Sequence, residues 1–250
     1  MAPPSNSFYS GAVRFDRYDR IVEHYAAMWP LLVPGYAPIL SALRAIVEVR
    51  EAAPKDVLDI GCGIGSATTA VAPALDAAAQ VSLVDGAPRM LDLARSTLDS
   101  RVLLAVSDDF TKPGILEQIA PPEAFDLVIM SFALHHLDDD AKRMTIEGAA
   151  RTLRPGGMLL LADEVSTDRP AGWDMVERVR GRMLAEHLGA GRIPSDFWEL
   201  ETTIPEELVL PFRPSRVDDL TSWLARAGLG VSCPVTLYGS ALLVGIRPTE

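Results

Sequence analysis

Three glycines at alternate positions, Gly61, Gly63 and Gly65, follow the apolar run VLDI and precede Ser66 in VLDIGCGIGS. Glycine lets the backbone turn sharply and lets a ligand approach with no Cβ in the way. A pyrophosphate loop spaces its glycines as G-x-G-x-x-G and aims the next helix start at the phosphates. The spacing here differs, and Asp59, just before the loop, is poorly suited to an anionic phosphate. A cationic, amino-acid-like ligand tolerates that acid. Asp85 closes the next apolar run, VSLVD, where a carboxylate can accept from both hydroxyls of a ribose. Dinucleotide enzymes use the same device, so Asp85 alone does not decide the ligand. The following run ends at Ser107-Asp108-Asp109, where a side chain can accept from an exocyclic adenine amine, with Asp108 the better placed. The fourth run, DLVIMSF, brings Ser131 and then Ala133-Leu134-His135-His136 to the same edge.

Positioning these residues takes a particular arrangement of elements. From Val57 to Val165, the short apolar runs VLDIG, VSLVD, RVLLAV, DLVIMSF and MLLLADEV alternate with segments of helical period. That rhythm predicts an α/β fold with a parallel sheet covered on both faces by helices. Helix signals fall between the runs: Ser66 as a cap for ATTAVAPAL, Pro88 in the first turn of PRMLDLARSTL, and Asp138-Asp139-Asp140 as a cap for AKRMTIEGAARTL. After Gly228, VSCPVTL and ALLVGIR flank Tyr238-Gly239-Ser240 and predict an antiparallel hairpin. Residues 1–53 read as a helical lid, with Ile39, Leu40, Leu43, Ile46 and Val47 at helical spacing behind the aromatic-rich HYAAMWPLLVPGY. Residues 54–250 form the main domain, with a helical insertion at about 172–214 that is placed to shape a substrate pocket.

Composition narrows the partners. In 250 residues, 48% hydrophobic, there is room for one sizeable core and an appended lid. Against 23 Lys and Arg stand 34 Asp and Glu, a net charge of −11 without a basic run, which argues against nucleic acid and for a small-molecule substrate. Cys62 and Cys233 match no metal spacing, so no metal is expected and a reduced, cytoplasmic setting is the simplest reading. The opening MAPPSNSFYSG does not read as a secretion signal, and no apolar run approaches a membrane span.

VLDIGCGIG, VSLVDGAPRML, FDLVIMSFALHHL and LRPGGMLLLADE stand in order across the chain and together resemble the class I S-adenosylmethionine-dependent methyltransferases. The resemblance implies a Rossmann-like, doubly wound seven-stranded sheet, mostly parallel with a C-terminal antiparallel hairpin. It also implies S-adenosylmethionine as cofactor, with S-adenosylhomocysteine as product, and Gly61, Cys62, Gly63, Asp85, Gly86, Asp108 and Ser131 lining its pocket. Asp59, Gly65, Met90, Asp109 and His136 complete the candidates for that pocket. FDRYDRIVEHYAAMWPLLVPGYAPIL and RVDDLTSWLARAGL are similar to the enzymes that make carboxy-S-adenosylmethionine for modification of a tRNA wobble uridine, and this similarity adds Tyr36 as a cofactor contact. Those enzymes grip the extra carboxylate with an arginine. The matching stretch here, TTIPEELVL, has Pro205 with Glu206 and Glu207 instead, and Ser131 replaces the family's asparagine.

An ordinary methyl donor and a redirected acceptor are therefore expected: an aromatic, indole, phenol or amine compound, in keeping with bacterial specialised metabolism. For an acceptor that must lose a proton, the candidate catalytic residues are Tyr25, with Glu23 to orient it, His135 and Glu164. The bland alternatives are an aromatic stripe of Tyr25 and Trp29 that merely packs, and histidines that satisfy a helix start or loop carbonyls. The rival functions are a carboxy-S-adenosylmethionine synthase using prephenate, a silent cofactor-binding module and an NAD oxidoreductase. The sequence leaves the oligomeric state open, a homodimer included.

Overall fold

The computed structural model describes residues 11–112, 114–119, 121–167, 170–194, 196–197, 199 and 211–249. Strands β1 (Asp56–Ile60), β2 (Gln80–Asp85), β3 (Val102–Ser107), β4 (Phe125–Ser131) and β5 (Leu153–Ser166) pair in parallel. Beyond them β7 (Gly230–Leu237) and β8 (Ser240–Ile246) form the expected antiparallel hairpin, and β8 docks antiparallel on β5. The seven strands run in the order β3-β2-β1-β4-β5-β8-β7, and a two-residue β6 (Ser215–Arg216) pairs with the end of β5 outside this path. The order reverses between β1 and β4, so their C-terminal ends open a crevice in which sheets of this kind hold ligands.

Helices α3 (Ser66–Val71), α4 (Pro88–Leu98), α5 (Ile115–Ile119), α6 (Asp139–Thr152), α7 (Pro170–Gly189) and α8 (Val217–Arg226) connect the strands, preceded by α1 (Gly11–Leu32) and α2 (Tyr36–Glu48). Pro88 opens α4, and Asp138 caps α6 by accepting from the Ala141 N–H at 2.9 Å. The start of α3 differs from expectation. Gly65 enters it from the left-handed region at φ 77°, without a side-chain cap, and Ser66 is the first helical residue. This helix also stops early, passing into a 3-10 turn at Ala72–Ala74, where Pro73 has no N–H to continue the ladder.

Strand alternation sends residues to two cores. Leu58, Ile60, Val128, Met130 and Leu161 meet α6 and α8 on one face through Ile146, Ala149, Leu220 and Leu224. Val57, Leu83, Leu127, Ile129 and Leu160 meet α2, α3 and α4 on the other through Ile39, Leu43, Val71 and Ala94. A third cluster joins Ile21, Val22 and Met28 of α1 to Ala87 and Met90 at the start of α4, and to Ile193 and Phe197 of the insertion. The two N-terminal helices thus take different places: α2 is a layer of the main core, while α1 packs over the C-terminal edge of the sheet. Among the described residues no single helix is long and apolar enough to cross a membrane.

Membership of α2 in the core sets its sensitivity. Leu43→Ala, at a fully buried position, should cost about 2–5 kcal/mol in urea unfolding, whereas Val49→Ala, at the 82% exposed position just past the helix, should stay within about 0.5 kcal/mol. Equal effects would mean that α2 opens independently of the sheet.

Candidate active site

The glycine loop is held open by a carboxylate. Asp85 Oδ2 accepts from the Gly63 N–H at 2.7 Å, and Oδ1 accepts from the Ala87 N–H at 2.8 Å. Gly61 adopts φ 66°, and a Cβ there would lie 2.6 Å from the Cβ of Ala133, so any larger residue would push the β4 exit away. At Gly63, φ 51°, a Cβ would meet nothing within 4 Å, because this part of the loop faces open space.

Behind the loop Asp59 shares the face of β1 that carries Val57, which turns its carboxylate toward α3. Its Oδ2 accepts from the Thr68 hydroxyl at 2.7 Å, while Oδ1, fully buried, has no hydrogen-bond partner among the described residues. Burial and the neighbouring Asp85 push the Asp59 carboxyl up to about 7, and burial takes Asp85 to about 6.

In front of the loop lies a cavity with about 800 Å³ of empty space, part of it open to solvent. Of the residues expected from sequence, Tyr25, Tyr36, Gly61, Cys62, Gly63, Asp85, Met90, Ser131 and His136 line it. Asp59, Gly65 and Gly86 are outside the lining, the first two being supports beneath the loop. Asp108 and Asp109 are also outside. The Asp108 carboxylate pairs with Lys112, and Asp109 closes a local turn by accepting from the N–H of Thr111 at 2.9 Å and from its hydroxyl at 2.6 Å.

The four catalytic candidates separate in the same way, and only Tyr25 among them reaches the cavity. Burial holds its hydroxyl well above the usual range, so it is a donor at neutral pH. Glu23 points to solvent and pairs with Arg89 at 3.1 Å rather than orienting Tyr25. His135 is buried, with Nδ1 2.5 Å from Asp163 Oδ1 and Nε2 3.6 Å from Glu164 Oε2. Glu164 in turn pairs with Arg180 of α7. These four groups form a polar chain beside the cavity that moors the insertion helix to the end of β5.

Sequence reasoning missed Tyr18, Ile64, Phe110, Phe132 and Leu137 in the lining. Tyr18 was detectable, since it precedes Tyr25 by two helical turns on the same face. Tyr25 stacks on Trp29 at 4.3 Å and 18°, and Tyr18 meets Tyr25 edge-on at 6.2 Å, so this stripe both packs and faces the cavity. Tyr36 rests against Phe132 at 5.1 Å, and burial holds its hydroxyl above the usual range.

Residues 57–157 match the family described as methyltransferase domain. An uncharacterized methyltransferase of Geobacillus sp. (strain WCH70) is 30% identical over 177 residues, covering 70% of this chain and 76% of the relative. The carboxy-S-adenosyl-L-methionine synthase of Erwinia tasmaniensis is 29% identical over 151 residues, 59% of either chain. In three dimensions, an O-methyltransferase family protein from Burkholderia thailandensis superposes with a TM-score of 0.59 at 20% identity, covering 93% of this chain and 58% of that one. Together with the strand order and the carboxylate-held glycine loop, these similarities make the chain a member of the class I S-adenosylmethionine-dependent methyltransferases.

Proposed function

We propose that this enzyme methylates a neutral aromatic small molecule bearing an O–H or N–H group. The observation that carries the reading is the cavity lining. Asp85 is the one side chain with a formal charge among the described lining residues, and Tyr18, Tyr25, Phe110, Phe132 and Leu137 supply aromatic and apolar wall. An anionic acceptor would find no cation there to replace its water and would sit near a buried carboxylate. A flat neutral ring gains contact with the aromatic faces.

The residues present fit the cofactor. The unpartnered Asp59 Oδ1 suits a cationic amino-acid group behind the loop, Gly63 leaves room for close approach, and Asp85 can accept from ribose hydroxyls while holding its two backbone donors. When bound, S-adenosylmethionine supplies a methyl carbon on a sulfonium, an electrophile that leaves a neutral thioether once its C–S bond breaks. The protein's task is then to exclude water and align the acceptor atom, work that positioning alone accelerates greatly.

The synthase relatives favour a second reading, carboxylation of the cofactor. Its carboxylate-gripping position in TTIPEELVL lies outside the described residues, and Arg180, on the insertion helix, is already paired with Glu164. Both readings are separated by one experiment. Incubation with S-adenosylmethionine and a panel of phenols, indoles and aromatic amines should yield methylated acceptor and S-adenosylhomocysteine by mass spectrometry. Incubation with prephenate should leave the cofactor mass unchanged; a cofactor gaining a carboxyl group would reverse the assignment.

The two acids make a prediction about pH. Their folded-state values of about 7 and about 6 mean that both take up protons as pH falls from neutrality, so the attraction for a cationic cofactor fades over that window. Calorimetry should show S-adenosylmethionine affinity dropping from pH 7.5 to 5.5, with protons released on binding near pH 6.5. Asp85→Asn should weaken binding roughly 10- to 100-fold at pH 7.5, the scale of a lost charge-assisted hydrogen bond. Unchanged affinity in that variant would remove Asp85 from the cofactor site.

A further inference from the structure

We propose that His136 is the general base of the transfer and that Tyr18 relays the acceptor's proton to it, an inference that rests on the aromatic-acceptor reading above. His136 Nδ1 lies 2.9 Å from the carbonyl oxygen of Pro211, and Nε2 lies 2.8 Å from the Tyr18 hydroxyl. A peptide carbonyl only accepts, so Nδ1 carries the hydrogen. In a neutral imidazole Nε2 then has the lone pair, and Tyr18 donates to it. The direction of the chain follows: Tyr18 O–H to Nε2, and Nδ1–H to Pro211.

Both ends of this chain are in place for the reaction. Tyr18 and His136 line the cavity together. His136 follows β4 and Asp85 ends β2, with β1 between them, so the base stands across the glycine loop from the acid assigned to the ribose. The carbonyl that fixes the tautomer is itself fixed. Residues 211–215 are strapped down where the Arg213 N–H donates to the His135 carbonyl at 2.7 Å, and where buried Lys142 donates to the Arg213 carbonyl and, at 2.7 Å, to the Ser215 hydroxyl. His135, one residue earlier, is committed to Asp163 and Glu164 and does not reach the cavity.

In the step itself the acceptor O–H gives its proton to the Tyr18 oxygen while Tyr18 gives its own to Nε2. Tyr18 ends neutral and His136 ends as an imidazolium with Nδ1–H still on Pro211. The electron pair freed on the acceptor oxygen forms the new bond to the methyl carbon, and the pair of the broken C–S bond stays on sulfur. Among the described residues, the groups in contact with His136 are Tyr18 from α1, the Pro211 carbonyl from the strap and the His135 ring at 4.1 Å, with Asp163 and Glu164 behind that ring.

Nitrogen NMR of the full chain with S-adenosylhomocysteine tests the tautomer without turnover. A neutral His136 protonated at Nδ1 is expected, and a proton on Nε2 would overturn the proposal. In kinetics with a phenol acceptor, His136→Gln should lower kcat roughly 100-fold, leave the KM for S-adenosylmethionine within about threefold and flatten the acid limb of the kcat–pH profile. Tyr18→Phe should lower kcat in the same sense. The loss in both variants should shrink for nitrophenols already ionised at the assay pH, a trend that a merely structural defect would not produce. An equal loss for all acceptors, or none, overturns the base alone. A wild-type enzyme inert toward every phenol, indole and aromatic amine overturns the acceptor reading and the base together.

Discussion

One carboxylate joins the two loops on which the site is built. Asp85 ends β2, yet its oxygens accept from the N–H of Gly63 after β1 and from that of Ala87 ahead of α4. Without those bonds two backbone donors at the crevice would lack partners and the glycine loop would lose its registry with the neighbouring strand. The same group is nearly buried, and beside it Asp59 keeps one oxygen without a partner. Two acids this close are desolvated, and among the described residues no cation is paired with either. Their raised carboxyl values follow first from that burial.

The rest of the architecture divides labour around this point. The two sheet faces bury α2, α3, α4, α6 and α8 in continuous apolar cores, and these hold the strand ends that carry Asp59, Asp85 and Ser131. The cavity's outer wall is attached by different means. One side of α1 joins a small cluster over α4, and Arg89 ties it through the Asp19 carboxylate and Glu23. The chain Asp163–His135–Glu164–Arg180 holds α7.

Much of this was legible in the sequence because the signals were local. Strand periodicity, Pro88 and Asp138 are each read within a few residues, and the structure uses each as expected. The glycine loop and Asp85 were legible because their chemistry depends on position at strand ends. What could not be read was direction. His135 and His136 are adjacent and chemically identical, yet a single 3-10 turn sends one inward to two carboxylates and the other into the cavity. Asp108 sits at the expected strand end, but Lys112, four residues along the turn that follows, claims its carboxylate. Ser66 failed as a cap because Gly65 could enter α3 from the left-handed region and made a side-chain cap unnecessary. Aromatic residues of α1 were ambiguous because a stripe that packs and one that faces a ligand share the same spacing, and here it does both.

The mooring of α7 by charges has an evolutionary consequence. A chain of buried ionisable groups tolerates little: loss of one member leaves another buried without its partner, a costly state. Described residues of α1 and α7 that lie away from these anchors carry no such burden, and apart from Trp29 and Leu32, which pack against one sheet core, they stand outside those cores. Substitutions along two helices can therefore reshape the mouth of the cavity, while the glycine loop and the sheet cores pass unchanged from one descendant to the next.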